Sequence, residues 1–261
     1  FWWFVGYWLG RGFNCSQGKN HTVYSSFGNE KEYIDKYKRI VTNLFKSQSG
    51  LKFQNGNNAH KFESKQLYLF LEDNFGNCAE GKFISEWVKY IPKDLKKRLV
   101  LGYLDSNGRV YKDKRGTVTF FKSINKKLLY DLQDILFSLG IISTFNNSSK
   151  AGAYSYIVKL NQTETRKLSK LFSGEPSSRK LRKVRETQAY YQDIKNKACR
   201  MSEDGKYIYL KIKNIEESTY TGTVYNFDCD THTFICQYCT GHNCDPYDHD
   251  KSGTNSLGST F

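Results

Sequence analysis

The clearest hydrophobic periodicity lies in the middle of the chain. Within NKKLLYDLQDILFSLG, residues 125 to 140, Leu128, Leu129, Leu132, Ile135, Leu136 and Leu139 recur at helical spacing, and Gly140 ends the stripe. Polar residues fill the positions between, so one face is built for burial. A comparable amphipathic helix is expected from about Glu30 to Phe45. Short runs that alternate apolar and polar predict strands: LKFQ and HKFES in the first half, ISTFNN and YSYIVKL in the second.

Two other stretches repeat each other. FVGYWLGRG, residues 4 to 12, and VLGYLDSNG, residues 100 to 108, share the order apolar, Gly, aromatic, apolar, small, polar, Gly. Each leads through a turn-rich, strand-like segment, NCSQGKNHTVYSS or RVYKDKRGTVTFF, into an amphipathic helix, and a further helix completes each unit. The pattern predicts an α+β fold, a pseudo-symmetric duplicated αββαββα. Gly6 and Gly10 in one copy, and Gly102 and Ser106 in the other, stand four apart on one helical face, where missing side chains let two backbones approach closely. The two helices are therefore expected to form the seam between the repeats, with Gly12 and Gly108 as their stops.

Charge adds a partner. The formal charge of the 261 residues is +14, from 40 Lys and Arg against 26 Asp and Glu, spread along the chain, and 16% aromatic content excludes a disordered basic protein. Nucleic acid is the expected partner, because neutralising phosphates releases counterions; a merely soluble basic surface is the alternative. No apolar run of about 18 residues and no signal peptide occurs. The seven cysteines are odd in number and unevenly spaced, which points to free thiols in a reducing cytoplasm, that of a bacterial or phage-infected cell. The chain opens on Phe-Trp-Trp, and its only methionine is Met201, which reads as a piece of something longer.

These motifs resemble the LAGLIDADG homing endonucleases. KYIP at Lys89 to Pro92 sits ahead of the second copy, where intein-borne members carry Lys-x-Ile-Pro, and SINKKLLYDLQDILFSLGI looks like the helix after their second motif. The resemblance implies that each seam helix delivers one acidic residue, just before its last glycine, to hold Mg²⁺ or Mn²⁺ at the scissile phosphates of double-stranded DNA. It also implies saddle-shaped sheets lying in the major groove. At the two acidic positions this chain has Arg11 and Asn107. A guanidinium repels a divalent ion, and an amide oxygen is a weaker ligand than a carboxylate. Asp105, two residues before Asn107, is about 200° around the helix. Lys89 matches the family lysine near a phosphate. A DNA binder with impaired cleavage is expected, in which Arg109, Lys112, Lys114 and Arg115 touch DNA and Asn107 is at most a weak metal ligand.

After residue 172 the texture changes. SGEPSS reads as a loop, and RKLRKVRETQAYYQDIKNKACR as a basic helix with Leu181, Val184, Ala189 and Ile194 as apolar anchors. Its Arg179, Lys180, Arg182 and Lys183 either touch the DNA backbone or solvate a linker. Alternation over Tyr207 to Ile212, Val224 to Cys229 and Thr233 to Tyr238 predicts strands. Cys229, His232, Cys236, Cys239 and His242 could make a zinc site in a zinc-dependent nucleic-acid binder, although their spacing is not that of a common finger.

TVYNFDCDTHTFI and TGHNC resemble the last two blocks of an intein. The resemblance implies a Hint-type splicing domain in which Asn243 cyclises, His232 and His242 assist, and Cys244 is the nucleophile that receives the upstream chain. Asn226 stands where many inteins have Asp. The N-terminal intein segment and a host extein protein would then be partners. The tail CDPYDHDKSGTNSLGSTF faintly resembles the start of the nuclease domain of some phage terminases, with Asp245 as a metal ligand. The expected organisation is an endonuclease-like domain over 1–172 with repeats of about 1–90 and 91–172, a linker helix over 173–205, a splicing region over 206–243 and an extein segment over 244–261.

Overall fold

The computed structural model describes residues 1–28, 30–45, 50–54, 57–113, 116–150, 153–173, 178–186, 199–202, 204, 207–210, 212, 214–223, 233–236 and 239–242. The first repeat runs α1 (Trp2–Arg11), β1 (Gly12–Gln17), β2 (Asn20–Phe27), α2 (Lys31–Phe45), β3 (Gly50–Gln54), β4 (Asn57–Glu63), α3 (Lys65–Phe75) and the single turn α4 (Cys78–Gly81). A 3-10 turn at Glu86–Tyr90 leads into the second: α5 (Lys93–Asn107), β5 (Gly108–Asp113), β6 (Gly116–Ser123), α6 (Lys126–Ser138), β7 (Thr144–Lys150), β8 (Ala153–Leu160) and α7 (Gln162–Leu171). Each repeat folds its strands into one antiparallel sheet of the same topology, β1-β2-β4-β3 and β5-β6-β8-β7.

The duplicated order matches the pattern read from the sequence. In α6 the predicted stripe is the buried face, with Leu129, Leu132, Ile135 and Leu136 fully inaccessible. Asn125 caps its first turn by accepting from the Leu128 amide, and Gly140 closes its end at φ 77°, a left-handed conformation that favours glycine. One apolar core runs through both repeats, from Phe4, Tyr7, Phe27 and Tyr37 to Leu104, Phe121 and Leu136.

The repeats meet where α1 crosses α5. A Cβ placed on Gly6 would lie 2.0 Å from the Leu99 carbonyl oxygen, and one on Gly102 would lie 2.0 Å from that of Trp3. A Cβ on Gly10 would strike the Ser106 hydroxyl at 1.9 Å. Two residue types, four apart on each helix, thus set the distance between the backbones. A buried hydrogen bond crosses the seam from Trp3 Nε1 to Asp105 Oδ2 at 2.8 Å.

Beyond α7, the basic stretch forms α8 (Arg179–Glu186), with Leu181 buried, and a short pair of strands, β9 (Cys199–Met201) and β10 (Ile208–Leu210). The expected helix therefore does not reach Cys199 and Arg200, which lie in β9; the Ala189 and Ile194 anchors lie outside the described residues. The compact unit extends over Phe1–Lys211, so it includes the stretch read as a linker. Ile212–Phe261 form a second unit, in which β11 (Thr233–Cys236) and β12 (Cys239–His242) make an antiparallel hairpin with Cys236 opposite Cys239. No described helix is long and apolar enough to cross a membrane.

Because backbone oxygens cannot retreat from a new methyl group, Gly6→Ala and Gly102→Ala should each cost about 3 kcal/mol by overpacking. Gly81→Ala, where an added Cβ meets nothing within 4 Å, should stay within about 0.5 kcal/mol. Urea unfolding of the three variants checks this, and equal midpoints would refute the close seam.

Candidate nucleic-acid interface

Arg11 and Asn107 are the last residues of α1 and α5, as the motif alignment expects. The Arg11 guanidinium faces Glu30 Oε2 at 3.4 Å, at the surface. Asn107 Nδ2 donates to the Lys122 carbonyl at 2.7 Å, which ties the end of α5 to β6. Asp105 points the other way, into the seam: fully buried, it accepts from Trp3 and from the hydroxyl of Ser178, the residue that opens α8. Burial raises its pKa above the usual carboxylate range, against the two hydrogen bonds that lower it.

A divalent ion needs convergent carboxylate oxygens. Here one expected ligand position is a cation and the other an amide already donating to a carbonyl, while the Glu30 carboxylate is paired with Arg11 and that of Asp105 is committed to the interior. Among the described residues no group of three or more His, Cys, Asp or Glu converges. The donor set does not fit Mg²⁺ or Mn²⁺.

Each seam helix instead ends on a buried ammonium. Lys82 Nζ donates to the carbonyls of Trp8 at 2.8 Å, Leu9 at 3.0 Å and Gly12 at 2.6 Å, and sits 4.4 Å from the Trp8 ring centroid. Lys180 Nζ does the same for α5, donating to Leu104 and Asp105 carbonyls at 2.8 Å each. The Gly12 and Gly108 amides already donate to the Trp8 and Leu104 carbonyls, so each ammonium adds a second donor there and serves the later carbonyls, where negative potential is concentrated at the helix end. Burial pulls Lys82 down to about 7 and Lys180 down to about 8, against the charges of Asp105 and Glu30, which favour the protonated form of Lys180. Sequence reasoning missed Lys82 altogether; its only signal is a lone lysine flanked by glycine and apolar residues in GKFI.

Lys89 is a correction. It is paired with Asp134 at 2.8 Å and with Asp131 and Glu86 at 3.1 Å each, bridging α6 and the 3-10 turn rather than standing ready for a phosphate. Burial works against its charge, yet the hydrogen bonds to Asp134, Glu86 and Asp131 raise its pKa well above the ordinary lysine value.

The outward face of the second sheet is polar and cationic. Strand register places Arg109 opposite Phe120, Phe120 opposite Lys159, and Lys159 opposite Thr144, with Tyr111 one step along β5. Ile142, Thr144, Asn146, Lys159 and Asn161 line a groove of about 340 Å³ on it. Lys112 lies in β5 opposite Thr117, whereas Lys114 and Arg115 lie outside the described residues. In the first sheet the same face carries Phe13 stacked on Tyr24, with centroids 4.6 Å apart.

Of the basic residues on α8, Lys180 is the cap described above. Arg182 pairs with Glu32 of α2 at 2.8 Å, and the Arg179 amide donates to the same carboxylate at 3.1 Å. Arg179, Lys180 and Lys183 line, with Arg109, Glu30, Tyr111 and Phe120, a cavity of about 450 Å³ between α8 and β5.

Residues 94–188 match the family model described as "LAGLIDADG-like domain". That stretch is thus similar to a LAGLIDADG-like domain. The matched span covers the second repeat and runs through α8. Two solved structures of the homing endonuclease I-DmoI, mesophilic variants and a complex with DNA and Ca, each give a TM-score of 0.55 at 14% identity over 71% of this chain and 96% of theirs. An I-DmoI complex with DNA and Mn gives 0.50 at 16% identity over 68% and 96%. The LAGLIDADG fold is thus common to both chains. No curated protein matches.

Of the splicing candidates, His242 ends β12 opposite Thr233. Asn226, His232, Asn243, Cys244 and Asp245 lie outside the described residues, as does Cys229 of the zinc alternative.

Removing the first ammonium cap tests its structural part. Lys82→Met should remove the ammonium donor from the Leu9 and Gly12 carbonyls, leave the Trp8 carbonyl with the Gly12 amide alone, and lose about 2 kcal/mol. A denaturant midpoint equal to that of the parent would show the cap to be dispensable.

Proposed function

We propose that the chain is a sequence-specific double-stranded DNA-binding protein of homing-endonuclease type that no longer cuts. The observation that carries this is the chemistry at the seam ends: the LAGLIDADG fold is present, with Arg11 and Asn107 closing the two helices. The outward sheet face supplies what groove reading needs. Arg109, Lys122 and Lys159 are suited to phosphates or guanine edges, while Thr144 and Asn146 offer hydroxyl and amide groups for base edges. The I-DmoI structures hold DNA with Ca or Mn; in this chain the donor set does not fit such an ion, so binding is read as independent of it.

In this reading the chain's own residues bind and orient DNA but do not activate water. A buried Asp105 that accepts two hydrogen bonds inside the seam has no free path to a phosphate. The surface Arg11 contributes positive charge where the phosphodiester would pass, in competition with Glu30.

Selection from a randomised duplex pool should enrich one sequence, and a plasmid carrying it should stay supercoiled with Mg²⁺ or Mn²⁺. Enrichment of nothing would overturn sequence-specific binding; site-specific linearisation would overturn the loss of cleavage.

A second reading applies to the C-terminal segment, where β12 ends on His242 and Asn243-Cys244 come next in the sequence. We infer that it is the C-terminal splicing junction of an intein, working in a cytoplasm. Asn243 Nδ2 would attack its own backbone carbonyl carbon, forming the succinimide as the Asn243–Cys244 amide bond breaks and the Cys244 amine leaves with a proton. His242 and His232 would supply proton transfer near neutral pH; with the N-terminal intein segment present, the Cys244 thiol would accept the upstream chain by transesterification before this cleavage. Intact-mass analysis should find slow release of residues 244–261 from the parent and none from Asn243→Ala. Equal release from both would exclude the cyclisation.

A further inference from the structure

The cavity between β5 and α8 is built from two elements far apart in sequence, and its wall chemistry is lopsided. Arg109 enters from β5, and Arg179 and Lys183 enter from α8. Lys180 forms part of the wall and cannot swing away, because its ammonium is held by the Leu104 and Asp105 carbonyls at 2.8 Å. Against these four cations stands one acid, Glu30, whose carboxylate also meets Arg11 at 3.4 Å. Tyr111 and Phe120 supply aromatic wall, which lowers the local dielectric and strengthens whatever the cations hold. The whole lies beside Gly108, at the end of α5 where the motif would place a metal-binding acid.

We propose that this cavity binds one phosphodiester phosphate of duplex DNA, with Arg109 and Arg179 as the direct donors, so that protein cations replace a divalent ion in neutralising the backbone at this seam end. The inference rests on the DNA-binding reading above and adds a site and a metal-independence to it. The ligand class follows from the donors. Guanidinium groups present planar pairs of N–H bonds that match two phosphate oxygens, and they stay charged at any working pH. At about 450 Å³ the cavity is open enough for a phosphate still joined to its two sugars, which enclosed anion sites exclude. Lys180 adds a fixed charge from below, in a position that the α8 packing determines.

The test is fluorescence anisotropy with the selected duplex across a series of salt concentrations, in EDTA and in Mg²⁺. The parent should bind equally in both. Arg109→Ala with Arg179→Ala should bind about tenfold more weakly and lower the slope of log K against log salt by about 0.9, the signature of one phosphate. Arg109→Lys with Arg179→Lys should recover the slope without recovering all the affinity, which separates charge from fork geometry and guards against a folding defect in the alanine variant. A parent that binds duplex while the alanine pair matches its affinity and slope overturns this inference and leaves the DNA-binding reading standing. Binding by the parent that vanishes in EDTA overturns the metal-independence. No duplex binding by the parent under any condition overturns both.

Discussion

The closeness of two backbones decides this fold. At Gly6 against Leu99 and Gly102 against Trp3 the helices α1 and α5 approach so nearly that a methyl group would fall on a carbonyl oxygen. Nothing larger than hydrogen fits, so the contact fixes both the spacing and the register of the two helices. Everything placed symmetrically about them inherits that register. The strands β1 and β5 start one residue after the helices end, and the two sheets flank the seam with the same strand order. A looser crossing would separate the helix ends and remove the axis about which the two repeats are arranged.

Close packing brings the negative ends of two helix dipoles to one surface, and the structure answers with lysines. Lys82 and Lys180 come from outside the seam helices, yet each donates to carbonyls within the last turn or just past it. This matters for function because the caps are independent of the residues at positions 11 and 107. Arg11 leans on Glu30 at the surface, and Asn107 donates to a strand carbonyl while its Cβ lies beside Gly10 of the facing helix.

What the sequence made legible follows the range of the interactions. The small residues four apart, the leucine stripe of α6 and its terminating glycine are local patterns, and each has the expected place in the structure. The places of Arg11 and Asn107 at the ends of α1 and α5 were legible too, because they sit inside a short motif. Long-range partners were not. Ser178 reaches Asp105 across 73 residues, and Lys82 reaches Gly12 across 70, with nothing in the intervening sequence to announce either. The same blindness explains the misreading of Lys89: the KYIP motif fixed its position in the chain, but the carboxylates of Asp131 and Asp134 that claim it come from the next repeat's helix. The basic helix was read as amphipathic with one apolar anchor correctly buried, Leu181, while its docking through Ser178, Lys180 and Arg182 needed the tertiary structure.

That docking changes what the excess of positive charge means. A solvated basic helix would raise affinity for any polyanion in proportion to its charge, with no preferred geometry. Here Lys180 is turned inward to cap α5 and Arg182 is neutralised by Glu32, so half of the RKLRK charge serves the fold rather than the surface. Arg179 and Lys183 are left on the side that faces Arg109 across a defined cavity. Spending two cations on position fixes where the other two stand, and fixed cations lose less freedom on meeting a phosphate than mobile ones do. A helix that looks like a charge reservoir in the sequence is, in the fold, an arm that brings a few charges to the end of the seam where the acid is missing.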